Sequence, residues 1–369
     1  MKTGILSMQM VDNYGSLLQA YGLKKIVESL GSSVEFIDIE KIEEDYILTD
    51  SIKKYHFDES EEKTRLQKLF DKKIFIRLRN KITTKLFKQK CRTFRIKELE
   101  INKKSTEYDL CIIGSDEVFN CLNAGWWGYT SQLFGNVSEA KKIITYAASC
   151  GATKFEDLPE IIRTSINRAI CNISQISVRD NNTYDFVKKL GVVKIERNLD
   201  PVLIYDFDTE VMNTKLPKLP KHYCVIYSYS YRFYHEKEIN TILKFCNKYN
   251  LTPIAIQGGQ TWCKKFIACN PFECLKIFSH ADFVITDTFH GTIFSTKYAN
   301  KFAVVIRDSN ANKLEDLINK LRIEKHVLKD ISYLESIYNV NKDNDAINKI
   351  LKIEQINTIN YLKKCISGE

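Results

Sequence analysis

No run of about 18 apolar residues occurs in the 369-residue chain, so the sequence offers no membrane-spanning helix. The amino terminus, MKTGILSMQMVDNYG, lacks the apolar core of a secretory signal, because the polar Asp12-Asn13-Tyr14-Gly15 interrupts it at once. There is no GxxxxGK-S/T phosphate loop, no GxGxxG dinucleotide fingerprint and no GxSxG nucleophile elbow. Internal repeats of fixed period are also missing. The 11 cysteines are odd in number and scattered through expected strands and helices, which with no signal points to reduced thiols in a cytoplasm. Cys263, Cys269 and Cys274 lie closest together, but their spacing suits no common zinc site, so no metal and no cofactor are expected.

What remains is a soluble globular composition, 44% hydrophobic and 27% charged, long enough for two domains. Positive charge is concentrated in one place. Residues 63–98 hold 14 Lys or Arg against only Asp71 and Glu98, an excess larger than the whole chain's +9. Within that stretch Leu66, Phe70, Ile74, Leu78, Ile82 and Leu86 step by four, the pattern of a cationic amphipathic helix or helix pair. Three readings fit. The apolar stripe packs on its own domain with the lysines solvated; or the helix rests on an anionic lipid surface; or it binds nucleic acid, for which no recognised motif speaks.

The order of expected elements is strand 2–7, helix 15–30 and strand 34–39, a βαβ start that implies a parallel sheet. After the basic insertion, at about 50–100, strands are expected at 109–113, 143–148 and 173–178, with helices at 159–171 and 183–190. Residues 206–221 carry two prolines and little periodicity and are expected to link domains. A second unit follows: strands at 223–229, 252–257, 283–286 and 301–306, and helices at 235–249 and 271–280, with another beginning near 288–291. The last 40 residues look helical. The expected architecture is α/β: two Rossmann-like domains, 1–205 and 222–330, facing a cleft, with carboxy-terminal helices at 331–369 that pack back on the first domain. Asp206-Phe207-Asp208 lies in the linker and reads as solvated charge.

Four strand-to-helix turns are polar: Asp12-Asn13-Tyr14-Gly15-Ser16, Gly114-Ser115-Asp116-Glu117, Ser177-Val178-Arg179-Asp180 and Thr286-Asp287-Thr288-Phe289-His290-Gly291-Thr292. Each is also explained as helix capping. Arg179 and His290 ask for more. An arginine at a sheet's carboxyl edge offers a planar fork for a carboxylate or phosphate, with a salt bridge to Asp180 or Asp200 as the structural alternative. A histidine at a helix start, where free amides favour anions, places a titratable group beside such a site.

Taken in order with Tyr108-Asp109, Tyr146-Ala147-Ala148-Ser149 and Asp200-Pro201, these turns resemble the polysaccharide pyruvyl transferase family over residues 1 to about 325. Departures are small: Glu117 stands where the family often has Gln, Thr288 where Ser is frequent, and Lys313 where an arginine is common. The resemblance implies a fold like the GT-B glycosyltransferases and phosphoenolpyruvate as donor. It implies a sugar of a cell-surface polysaccharide or its lipid-linked precursor as acceptor, with a pyruvate ketal and phosphate as products. On this reading His290 and Asp116 are catalytic. Arg179, His290, Gly291, Thr292 and Lys313 bind the donor, and Asn13, Tyr14, Ser115 and Asp116 face the acceptor. The basic segment 63–98 would then hold the enzyme on the inner face of the plasma membrane, with nucleic acid not expected as a partner. A GT-B glycosyltransferase using a nucleotide sugar and a non-catalytic, membrane-associated protein of glycan assembly are the alternatives.

Overall fold

A computed structural model of the chain describes residues 1–55, 74–122, 128–230 and 232–367. The first part runs β1 (Lys2–Leu6), α1 (Tyr14–Ser29), β2 (Ser33–Phe36), α2 (Glu43–Tyr55), α3 (Ile74–Phe94), β3 (Leu110–Asp116), β4 (Ile143–Ala148) and α4 (Glu160–Ile170). It continues with β5 (Ile176–Val178), α5 (Asn181–Lys189), β6 (Ile195–Arg197), α6 (Pro201–Ile204) and α7 (Asp208–Asn213). The second part runs β7 (Tyr223–Ser228), α8 (Glu236–Lys248), β8 (Thr252–Gln257), β9 (Lys265–Phe266), α9 (Pro271–Ser279), β10 (Phe283–Thr286) and α10 (Phe289–Tyr298). It closes with β11 (Phe302–Val305), α11 (Ala311–Leu321), β12 (Val327–Leu328), α12 (Leu334–Tyr338) and α13 (Asn344–Ser367).

The strands form two six-stranded sheets, ordered β2-β1-β3-β4-β5-β6 and β12-β11-β10-β7-β8-β9, and every pairing is parallel. Parallel sheets need cover on both faces, which is why β3, LCIIGSD, is buried from end to end. This is the expected pair of Rossmann-like α/β units. In each sheet the order reverses beside the first strand, between β1 and β3 and between β7 and β10. Crevices open at the carboxyl ends of strands at such switch points.

Several elements differ from expectation. The edge strands β6, β9 and β12 have three, two and two residues, too short to leave a periodic signal. Residues 206–221 contain the short helix α7. In α3 the apolar row faces outward, with Leu78, Ile82 and Leu86 all exposed, while Phe87, Cys91 and Phe94 are the buried face. A helix turns about 100° per residue, so Leu86 and Phe87 point to different sides, and the core took the second side. Leu66 and Phe70 lie outside the described residues. At the carboxy terminus α13 lies on the first sheet: Tyr361 Oη donates to Thr145 O at 2.7 Å, and the Tyr146 and Thr358 hydroxyls meet at 3.1 Å.

Candidate active site

The two switch points face one another across a cavity of about 480 Å³. From the first unit, the loop after β1 brings Asp12 and Asn13, the first turn of α1 brings Ser16, the end of β3 brings Asp116 and Glu117, and the end of β5 brings Arg179. From the second, Tyr229 and Arg232 follow β7, Thr288 to His290 follow β10, and Lys313 comes from α11.

Asp200 organises the floor. It is fully buried, and its Oδ2 lies 2.8 Å from Arg179 Nη1 and 3.4 Å from His290 Nε2. Its Oδ1 accepts from the Val202 amide at 3.0 Å. Burial pushes this carboxyl up, but His290, Arg179 and the Val202 amide together outweigh burial and bring it down to about 2. The 3.4 Å approach to His290 is long and off-line for a hydrogen bond; the pair is a charge contact that strengthens when the imidazole is protonated. His290 Nε2 has no other partner among the described residues.

Arg179 therefore does pair with Asp200, and it also faces the cavity. Asp180 is occupied elsewhere, as the cap of α5, accepting from the Thr183 amide. The guanidinium lies 4.2 Å from the Phe289 ring centre, and Nε is buried without a hydrogen-bond partner. Asp116 sits 4.0 Å from Arg179 Nη2 and accepts from Ser16 Oγ at 2.7 Å. Its φ of +79° puts a non-glycine residue in the left-handed region, a backbone cost that recurs at functional sites.

His290 reaches across from α10 to the first turn of α1. A Cβ added at Gly15 would lie 2.1 Å from His290 Cγ and Nδ1, so glycine is what lets the imidazole lie against that helix. Asn13 caps α1, accepting from Gly15 N at 2.7 Å, and donates to Tyr229 Oη at 3.0 Å across the cleft. Lys313 pairs with Glu117, also across the cleft, and this neighbour above all holds the Glu117 carboxyl down to about 2.

Four expected site residues fall elsewhere. Tyr14 and Ser115 are fully buried and line no part of the cavity: the Tyr14 hydroxyl donates to Cys269 O, and the Ser115 hydroxyl approaches Asp200 at 3.4 Å. The amides of Gly291 and Thr292 are spent inside the helix, on Thr288 Oγ1 and Thr288 O. Because Thr288 is the cap, the free amides belong one turn position earlier, to Phe289 and His290, whose residues do line the cavity. Arg232 was not anticipated. It donates to Asp287 O at 2.9 Å, lies 5.0 Å from the Tyr229 ring centre and lines the cavity. It follows no strand directly, so no pattern in the sequence marked it.

The cavity thus gathers three cations, a histidine beside a buried carboxylate, and three further carboxylates, Asp12, Asp116 and Glu117. Among the described residues, no group of three or more His, Cys, Asp or Glu is placed to hold a metal ion. The family model for polysaccharide pyruvyl transferase matches residues 13–309, which include every cavity residue named above except Asp12 and Lys313. The chain belongs to the polysaccharide pyruvyl transferase family. Membership makes it a transferase of polysaccharide biosynthesis. No curated protein matches it. Among solved structures it is similar to the UDP-GlcNAc 2-epimerase of Methanocaldococcus jannaschii in complex with UDP-GlcNAc and UDP, at 12% identity and a TM-score of 0.49. That match covers 96% of this chain and 99% of the other. It is also similar to CalG4, the calicheamicin glycosyltransferase, at 9% identity and a TM-score of 0.42, covering 100% and 97%. At that distance nothing these proteins bind carries over to this member of the pyruvyl transferase family.

Proposed function

We propose that this transferase moves the pyruvate group of phosphoenolpyruvate onto two hydroxyls of a sugar in a cell-surface polysaccharide or its precursor, releasing phosphate. The observation that carries the reading is the Arg179–Asp200–His290 cluster at the cavity floor, with Arg232 and Lys313 on the facing walls. Phosphoenolpyruvate bears a carboxylate and a phosphate, and both need cations or free amides. Arg179 and the Phe289 and His290 amides suit one group; Arg232 and Lys313 suit the other. Asp200 serves a purpose in this scheme: an imidazolium at His290 faces its charge at 3.4 Å.

The chemistry then balances within the site. His290 gives a proton to the donor methylene, which becomes the methyl group. A sugar hydroxyl adds to the neighbouring carbon and yields its proton to Asp116, which sits on the first unit's wall. The second hydroxyl adds to the same carbon as the C–O bond to phosphate breaks. The proton held by Asp116 then passes through solvent to His290, which restores both groups, and the second hydroxyl's proton leaves with phosphate. General acid–base steps of this kind contribute about 10²–10⁴-fold each.

Calorimetry with phosphoenolpyruvate, UDP and CMP tests the reading. Phosphoenolpyruvate alone is expected to bind, with affinity falling at least tenfold in Arg232→Ala and Arg179→Lys. A protein that binds UDP or CMP and ignores phosphoenolpyruvate is a nucleotide-sugar glycosyltransferase instead, and one that binds none is a non-catalytic relative.

A further inference from the structure

Helix α3 presents an unusual outer face. Phe75 is 80% exposed, Leu78 56%, Ile82 55% and Leu86 50%, in one row along the helix. At about 1.5 Å per residue the helix is some 30 Å long. No Asp or Glu occurs between Ile74 and Lys97, against nine Lys or Arg. Lys81, Lys85, Lys88 and Arg92 run down one flank of the apolar row, all exposed and with no ion pair among the described residues.

The helix is fixed in place from behind. Phe87 stacks edge-on against Tyr14 at 4.9 Å, and Phe94 against Phe272 at 5.1 Å. Arg79 donates to Lys264 O at 2.7 Å and Lys90 pairs with Glu273 at 2.7 Å, so the helix straps the second unit to the first. Its outer face is therefore a built surface. Near its carboxyl end lies a recess lined by Lys88, Arg92 and Arg95, and by Asp12, which also lines the active-site cavity.

We infer that the outer face of α3 is a docking site for an anionic lipid bilayer. The apolar row enters the acyl boundary, the lysine flank meets the headgroup phosphates, and the recess at Lys88 and Arg92 receives one such phosphate beside the active-site loop. Charge and hydrophobicity select this occupant together. A nucleic acid would reward the lysines and leave Phe75 and Ile82 in water. A second copy of the chain would bring like charges against each other. A bilayer rewards both.

The inference is independent of the transfer chemistry, and its test uses the full chain. Vesicles of phosphatidylcholine with 30% phosphatidylglycerol, and of phosphatidylcholine alone, are sedimented with wild type, Lys81→Glu/Lys85→Glu and Leu78→Ser/Ile82→Ser. The anionic vesicles are expected to carry wild type down, and the neutral ones at least tenfold less. Each variant is expected to lose about tenfold or more on the anionic vesicles, since each basic side chain near the surface contributes on the order of a few-fold in affinity. Both variants should keep the wild-type affinity for phosphoenolpyruvate, which separates this outcome from a failure of the proposed reaction. Equal binding to both vesicles, unchanged binding in both variants, or tighter association with duplex DNA than with anionic vesicles overturns the inference. So does a dimer whose mass is lost in the Leu78→Ser/Ile82→Ser variant.

Discussion

Gly15 shows how one missing side chain sets a site. Alanine is normally the better residue inside a helix, by about 1 kcal/mol. At position 15 the added Cβ would meet the His290 ring at 2.1 Å, far inside any contact real atoms make. We therefore expect Gly15→Ala to lower the melting temperature despite its helix propensity and to cut the proposed pyruvyl transfer by about 10²-fold, the cost of misplacing the proposed proton donor. A variant that melts higher and keeps its activity would show that α1 and α10 do not approach as described. The same scale governs Glu117. Its carboxyl is held at about 2 by Lys313, against about 4.3 in an unfolded chain. The folded state then binds fewer protons than the unfolded state between those values. The stabilisation is complete above about pH 4.3 and is lost as pH falls toward 2. Acid unfolding of Glu117→Gln followed by circular dichroism should show a shallower loss through that window, by on the order of 2 kcal/mol, and lower stability than wild type at pH 7.

Among elements, α10 and α13 do different work. Helix α10 is buried along almost its whole length, with Ile293 and Phe294 fully enclosed, so it cannot shift without unpacking the second unit. His290, the proposed proton donor on its first turn, inherits that rigidity. Helix α13 closes the first sheet: Leu362 is fully buried, Ile347, Leu351 and Cys365 nearly so, and Lys142 donates to Cys365 O at 2.8 Å. Ending the chain before Asn344 would uncover the sheet face under Tyr361. Burial of each such side chain is worth about 1.5–3 kcal/mol, so the loss is comparable to the whole stability of a typical domain, about 5–15 kcal/mol. The truncated chain is expected to appear in the insoluble fraction, and a soluble, cooperatively melting product would refute this account of the helix.

Across the whole molecule, the site exists only because two switch points meet. Asn13 to Tyr229, Glu117 to Lys313 and Gly15 to His290 each join one unit to the other. Much of this was legible in advance. The strands of both sheets have apolar runs bounded by turn residues, and the four polar turns marked the strand ends that line the cavity, including Asn13, Asp116, Arg179 and His290. The short edge strands and α7 left no periodicity to read. Tyr14 and Ser115 share a turn with true cavity residues, and only the direction of each side chain separates lining from core. The free amides at Phe289 and His290 depend on which threonine caps α10, a choice settled by dihedral angles. Arg232 depends on a contact with Asp287, far from it in the chain, and Gly15 on a contact between the two units. By itself, then, the sequence determined the two parallel sheets and the chemistry at their rims, because periodicity and turn residues are local properties. The tertiary structure alone decided which face of α3 is buried, that Asp200 joins Arg179 to His290, and that a glycine makes room for the histidine, because these depend on distances between residues that the chain order keeps apart.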